Sequence, residues 1–310
     1  MDERTNVLFM SLNNDLTNKF TKYLLMGIKL SNYSWFNLGG PAEYFFKPKD
    51  KHQLIEFLND NKKNPLEITI LGAGSNTLIR DNGIKGVVIK LGSNFSAIKM
   101  IDENLIEAGS SALDRKVASF AKEHSIGGLE FLSCIPGTIG GAVIMNSGCY
   151  GHDISKILNS INVIDKTTGE EKEITSDKIK FFYRRTNLSE RFIIISAKLK
   201  GKRVEKKVIE EKQNNMLDRK KLSQPNQIKT CGSTFKNVNN EKKAWQLIKE
   251  TGCENFKEGD ATISAKHCNF FVNNGRAKSS DIEKLINRVK NQVADKTGVN
   301  LELEIKIIGD

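Results

Sequence analysis

The chain contains no CxxC pair, no HxH and no HExxH, and its five cysteines and four histidines are scattered. Cysteines 134, 149, 231, 253 and 268 are too few and too far apart for a disulfide scaffold. An odd count without an export segment predicts reduced thiols in a cytoplasmic protein. The histidine spacing excludes the usual zinc sites, so no metal is expected. Long apolar runs are missing as well. The N-terminal apolar stretch, 7–10, is too short for the core of a signal peptide. The longest uncharged run, 131–152, could nominally span a bilayer, but it holds Pro136, five glycines and Asn146. Such a run predicts a buried glycine-rich loop system, not a membrane helix.

Aromatic residues are absent between Phe192 and Phe235, where most of the basic excess lies. Residues 198–221 carry ten Lys or Arg against four Asp or Glu, a net +6 within a chain of +11. Nucleic-acid binding by base stacking needs aromatics among the cations, so that class is disfavoured. A solvated helix face, or a positive rim that draws in a small polyanion, remains. With 310 residues the chain is long enough for two or three domains.

Apolar periodicity predicts strands at 68–71, 86–91, 160–164 and 191–199, a hairpin from 98–100 and 105–108, and a last strand at 301–308. Helices are expected at 113–124, closed by Gly127-Gly128, at 204–217, and at 280–296, capped by Ser279 or Ser280. Residues 1–20 read as a loosely held extension. Strands and helices alternate irregularly, which predicts an α+β chain.

Two glycine-rich turns carry chemical information. Gly72-Ala73-Gly74-Ser75-Asn76-Thr77 follows a strand, where small residues let backbone N–H groups close on an anion. The dinucleotide fingerprint needs glycine at 77, and threonine stands there, so that reading fails. The second segment runs Ile135-Pro136-Gly137-Thr138-Ile139-Gly140-Gly141-Ala142 and continues to Asn146-Ser147-Gly148-Cys149-Tyr150-Gly151. Dense glycine in an apolar run suits backbone lying against a flat, bulky ligand. Together the turns favour a phosphate-bearing cofactor; a structural turn and a tight-packing loop are the alternatives.

Asn37-Leu-Gly-Gly-Pro-Ala42, Leu71-Gly-Ala-Gly-Ser-Asn76, Ile135-Pro-Gly-Thr-Ile-Gly-Gly-Ala142, Tyr183-Arg184, Gly232-Ser233-Thr-Phe-Lys-Asn237 and Leu301-Glu-Leu-Glu-Ile305 occur in one order. In this the chain resembles the UDP-N-acetylenolpyruvoylglucosamine reductase family of peptidoglycan precursor synthesis, in its shorter type without an extra tyrosine loop. The resemblance implies a two-lobed FAD-binding domain of the vanillyl-alcohol-oxidase (PCMH) type at 25–201, with lobes at about 25–92 and 93–201. An N-terminal extension at 1–24 precedes it, and an α+β substrate-binding domain at 202–310 follows. Thr186, Val238, Leu303 and His152 depart from the family pattern, which commonly has serine, proline, proline and a small residue.

The resemblance also implies site roles. Gly72, Ala73, Gly74, Ser75, Asn76, Thr77, Pro136, Gly137, Thr138, Gly140, Gly141, Ala142 and Gly148 match cofactor positions. Tyr150, Lys221 and Asn237 match substrate positions. Arg184, Ser233 and Glu304 match the catalytic ones. The implied reaction uses NADPH and FAD to reduce UDP-N-acetylglucosamine enolpyruvate, with hydride reaching C3 from reduced flavin and a proton reaching C2 from Ser233. Arg184 would grip the substrate carboxylate with its guanidinium fork. By period two Glu302 and Glu304 share one strand face, and only the family pattern selects the second. His267 reads equally well as structural. Relatives that tether FAD covalently use His or Cys, and neither lies in 72–77, so a non-covalent cofactor is expected. The alternatives are another FAD oxidoreductase of this fold and a basic protein that binds nucleic acid or anionic lipid.

Overall fold

The computed structural model describes residues 16–238 and 242–310. Two compact units interleave along the chain. One takes the described residues up to Ile28, with 42–72 and 85–210; the other takes 29–41, 73–84 and 211–310. The mixed helix and strand content is that of an α+β protein.

The first unit holds two larger sheets, of four and five strands. Strands Leu24–Lys29, Pro41–Phe46, Ile84–Ile89 and Ile68–Ile70 lie side by side in that order, the last two parallel. Helix Lys51–Asn61, absent from the sequence expectations, buries Leu54, Phe57, Leu58 and Asn61 on one stripe. Asp50 caps it by accepting a hydrogen bond from the Gln53 amide at 2.8 Å. The Phe46 and Phe57 rings stack with centroids 4.2 Å apart, and Phe20 meets both edge-on. Leu16 and Phe20 are therefore core residues, where a loose extension was expected; 1–15 lie outside the described residues.

The second sheet is antiparallel, in the order Glu171–Thr175, Leu158–Asp165, Phe192–Lys200, Leu105–Gly109, Ile98–Asp102. Helix Asp114–Glu123 buries Val117, Ala118 and Ala121. It ends at His124, and Ser125 takes the left-handed conformation at φ 58°, so Gly127-Gly128 do not form its stop. The glycine-rich run, expected as loop, contains the helix Ile139–Met145. Its glycines hide the apolar periodicity that would have revealed it.

In the second unit helix Ser279–Thr297 lays Ile282, Leu285, Ile286, Val289 and Val293 into the core, each worth about 1.5–3 kcal/mol of burial. Neither serine caps this helix. Asp81 accepts from the Ser279 and Ser280 amides at 2.8 and 3.0 Å, placing a carboxylate at the positive end of the helix. A three-stranded antiparallel sheet, Lys257–Glu258, Ala261–Ile263 and Phe271–Asn273, completes this core, with Phe271 edge-on to Phe235. Helix Lys206–Ser223 runs from the first unit into the second. Among the described residues no helix is long and apolar enough to cross a membrane.

The expected terminal strand is broken. Lys306–Ile308 pairs parallel with Thr77–Ile79, while 304–305 form a bend and Leu303 bridges to Phe235.

Candidate active site

In the first unit the two glycine motifs meet at Thr138. A Cβ on Gly72 would sit 3.3 Å from the Thr138 hydroxyl, and one on Gly141 would have that same atom as its near neighbour, at 3.7 Å. Lys90 donates to the Gly72 carbonyl at 2.5 Å. Burial, helped by the charge of Lys47, holds this ammonium below the usual lysine range. The Pro136–Ala142 segment is pinned from behind. Ile139 and Gly140 donate to the Ala112 and Ser110 carbonyls, and the Asp114 amide donates to the Gly137 carbonyl. Gly140 is packed tightly here, since a Cβ would lie 3.1 Å from Ser110 Cβ.

Gly148 belongs to a small hairpin, Gly148–Cys149 paired with His152–Asp153, turned by Tyr150 and Gly151 at positive φ. A Cβ at Gly148 would strike the His152 carbonyl at 2.2 Å, which accounts for that glycine sterically. Tyr183 and Arg184 turn a second hairpin, Phe181–Phe182 with Arg185–Thr186. Arg184 has φ 56°, donates through Nη2 to the Gly148 carbonyl at 2.8 Å, and lies over the Tyr183 ring. Asn146, the left-handed cap of helix Ile139–Met145, joins the second hairpin by donating to the Phe182 carbonyl. The first unit thus brings Thr138, Gly141, Gly148, Tyr150 and Arg184 into one connected set.

In the second unit the turn 73–77 meets the Ser233 segment. Gly74 has φ 66°, and a Cβ there would fall 1.9 Å from the Tyr33 carbonyl oxygen, so the position excludes a side chain. The buried Cys231 thiol donates to the Gly74 and Thr77 carbonyls at 3.6 and 3.4 Å. Desolvation pushes its pKa up to about 12, so it stays a neutral strut. Ser233 follows Gly232, at φ 78°, and bridges Phe270.

The Glu304 amide donates to the Thr234 carbonyl at 2.8 Å, which holds the glutamate one residue from Ser233 in the ladder. The two terminal glutamates differ. Glu302 is exposed and pairs with Lys236, whereas Glu304 is half-buried. The bend at 304–305 gives the two glutamates different surroundings.

Asn237 accepts from the Ala244 amide at 3.2 Å at the start of helix Ala244–Glu250, and Lys221 is an exposed partner of Asp218. A cavity of about 730 Å³ also lies in this unit, lined by Trp245, Lys249, Lys257, Lys266 and His267 among others. The Trp245 and His267 rings lie with centroids 6.2 Å apart, tilted by 58°. Burial pushes His267 towards its neutral form. The sequence expectations omit Trp245, Lys249 and Lys257; three lysines and one tryptophan, scattered between 245 and 266, make no motif. Among the described residues no group of three or more His, Cys, Asp or Glu is placed to hold a metal ion.

In the first unit, the glycine-lined recess at Thr138 suits a flat cofactor. Residues 42–175 match the profile of an FAD binding domain, so the chain is of the flavin-dependent oxidoreductase class. Residues 224–308 match the C-terminal domain of UDP-N-acetylenolpyruvoylglucosamine reductase. Enzymes of that name from Pelagibacter ubique and Orientia tsutsugamushi (strain Ikeda) are 45% and 44% identical. The two alignments cover 94% and 91% of this chain and 97% and 93% of those proteins. The solved UDP-N-acetylenolpyruvylglucosamine reductase from Thermus caldophilus superposes with a TM-score of 0.79 at 29% identity, over 91% of this chain and 98% of that one. The chain belongs to the UDP-N-acetylenolpyruvoylglucosamine reductase family.

Proposed function

We propose that the protein reduces UDP-N-acetylglucosamine enolpyruvate to UDP-N-acetylmuramate in the cytoplasm, with NADPH as co-substrate and FAD bound non-covalently. The observation that carries this reading is the single ladder that holds Ser233 and Glu304, in a chain whose relatives bear the name of this reaction. The domain boundaries that go with it are an N-terminal extension to residue 24, an FAD domain at 25–201 and a substrate domain at 202–310. No nucleic-acid partner is part of this reading.

The recess fits the cofactor: Gly72 and Gly141 leave open, beside the Thr138 hydroxyl, the space that side chains would fill. The residues assigned to hold it are Gly72–Thr77, Pro136–Thr138, Gly140–Ala142 and Gly148. When bound, FAD supplies hydride transfer from the nicotinamide to C3 of the enolpyruvyl group. The protein handles charge and the proton. Arg184 meets the substrate carboxylate, where negative charge grows during reduction; a fixed donor of this kind is worth roughly 3–4 kcal/mol. Ser233 gives its hydroxyl proton to C2. A serine is a weak acid, so the transfer needs a strongly basic acceptor and close placement. Glu304, if protonated in its half-buried position, donates a hydrogen bond to the developing enolate.

The charge and shape of the cavity at Trp245 support a nucleotide diphosphate as the bound handle. Lys249, Lys257 and Lys266 outnumber Glu254, and Trp245 and His267 offer ring surface to a base. Tyr150, Lys221 and Asn237 remain the family-matched substrate contacts.

The test is the oxidation of NADPH by the yellow, FAD-loaded protein. UDP-N-acetylglucosamine enolpyruvate should trigger rapid turnover, and Ser233→Ala should preserve flavin reduction by NADPH while nearly abolishing reduction of the enolpyruvate. Flavin-loaded protein that the enolpyruvate leaves idle would overturn the reading.

A further inference from the structure

The turn 72–77 reads in sequence as a cofactor cradle throughout, yet the Asn76 side chain is engaged elsewhere. Its Nδ2 donates to the main-chain carbonyl of Glu304 at 3.0 Å, and the main-chain carbonyl of Asn76 accepts from the Lys306 amide at 2.9 Å. On the other side, the Glu304 and Ile305 amides donate to the Thr234 carbonyl at 2.8 and 3.5 Å. The Glu304 residue is thus held at both ends of its backbone, by Thr234 at the N–H and by Asn76 at the C=O.

This hold falls where regular pairing stops. Leu303 still bridges Phe235, and Lys306 begins the parallel pairing with Thr77. Between them the chain bends, and a bent backbone cannot direct its carbonyl into a sheet ladder. A carboxamide of fixed length takes over that bond. A carboxylate could not, because it presents only acceptor atoms to a carbonyl oxygen. An alanine would leave the carbonyl without this donor, and a glutamine would extend a methylene too far.

We propose that Asn76 is a positioning residue for Glu304: its carboxamide fixes the bend that aims the glutamate, so the cofactor turn and the acid are set together. This rests on the reading of function above, in which Glu304 acts on the substrate.

Two measurements test it. In hydrogen exchange, adding FAD to apoprotein should slow the amides of 304–306 in the wild type and leave them nearly unchanged in Asn76→Ala. Equal protection in both proteins would overturn the link. In stopped flow, Asn76→Ala should slow reoxidation by the enolpyruvate about thirtyfold, well beyond any fall in FAD affinity or in flavin reduction by NADPH. That thirtyfold loss should shrink to threefold or less in a Glu304→Gln background, since residues acting through one another are not additive. Additive losses, or an equal fall in FAD affinity and both half-reactions, would instead make Asn76 an ordinary cofactor ligand. If the enolpyruvate fails to reoxidise even the wild type, the reading of function falls, and the exchange result alone decides the Asn76 link.

Discussion

Arg184 reaches across from one hairpin turn to donate through Nη2 to the carbonyl of Gly148, the first residue of another, at 2.8 Å. The Gly148 carbonyl orients the guanidinium, which in the proposed reaction grips the substrate carboxylate with its planar fork. Arg184→Ala should therefore slow substrate reduction by about 10²–10³-fold, the usual cost of a lost charge-stabilising donor. Flavin reduction by NADPH should stay near wild type. Arg184→Lys should recover little, because an ammonium cannot both hold Gly148 and present a planar pair of donors. Separate measurement of the two half-reactions checks this; a lysine variant with full activity would show that the fork is unnecessary.

Gly74 and Gly141 lie in the two cofactor motifs and should fail differently. Gly74 has a positive φ and main-chain oxygen within 1.9 Å of any added Cβ, so Gly74→Ala should lower the melting temperature of the apoprotein by several degrees. Gly141→Ala meets only the Thr138 hydroxyl at 3.7 Å, so the apoprotein should melt like wild type. Its methyl group would occupy the space assigned to the cofactor, and FAD affinity should drop at least about tenfold, or about 1.4 kcal/mol. Thermal melts with and without FAD, plus flavin fluorescence titration, separate the two. Wild-type FAD affinity in Gly141→Ala would place the cofactor elsewhere.

Asp114 is fully buried at the start of its helix, and neither carboxyl oxygen has a hydrogen-bond partner. Desolvation raises its pKa well above the ordinary carboxylate range. The folded protein keeps this proton while the unfolded chain loses it near pH 4, so the contribution of Asp114 to stability is most favourable at low pH and falls as pH rises towards the folded pKa. Asp114→Asn removes the titration. Its melting temperature should exceed wild type by more at pH 8 than at pH 5, in differential scanning calorimetry. An advantage that is the same at both pH values would contradict a raised pKa.

Asn269 is buried and uses both ends of its carboxamide on one residue. It donates to the Phe235 carbonyl at 2.8 Å and accepts from the Phe235 amide at 2.9 Å. It acts as a strand partner two residues from Ser233. Asn269→Ala strands both groups, and each unsatisfied buried group costs about 1–3 kcal/mol. A drop of that size in urea-derived stability is expected, together with a larger loss in substrate reduction than in flavin reduction. A neutral effect on stability would mean that water replaces the carboxamide.

Local periodicity and motif order carried far in this chain. The stripe Ile282, Leu285, Ile286, Val289, Val293 marks a helix without reference to anything else, because 3.6-residue spacing of apolar groups serves a single packing face. The hairpin of Ile98–Asp102 and Leu105–Gly109 is equally local. Six motifs in order indicated the family and the residue types at the site. Helix Ile139–Met145 escaped because glycines interrupt its pattern, and Gly127-Gly128 misled because Ser125 supplies the left-handed turn earlier.

By itself the sequence determined composition class, most of the long elements, the family and which residue types could act. Only the tertiary structure decided which of them are held together. Asp81 in place of a serine caps the helix at Ser279, a bend at 304–305 separates Glu304 from Glu302, and Asn76 secures that bend from more than two hundred residues away. Each is a hydrogen bond between segments remote in the chain. Spacing within one segment specifies its local conformation, whereas the partner of a polar side chain is set by how the segments pack.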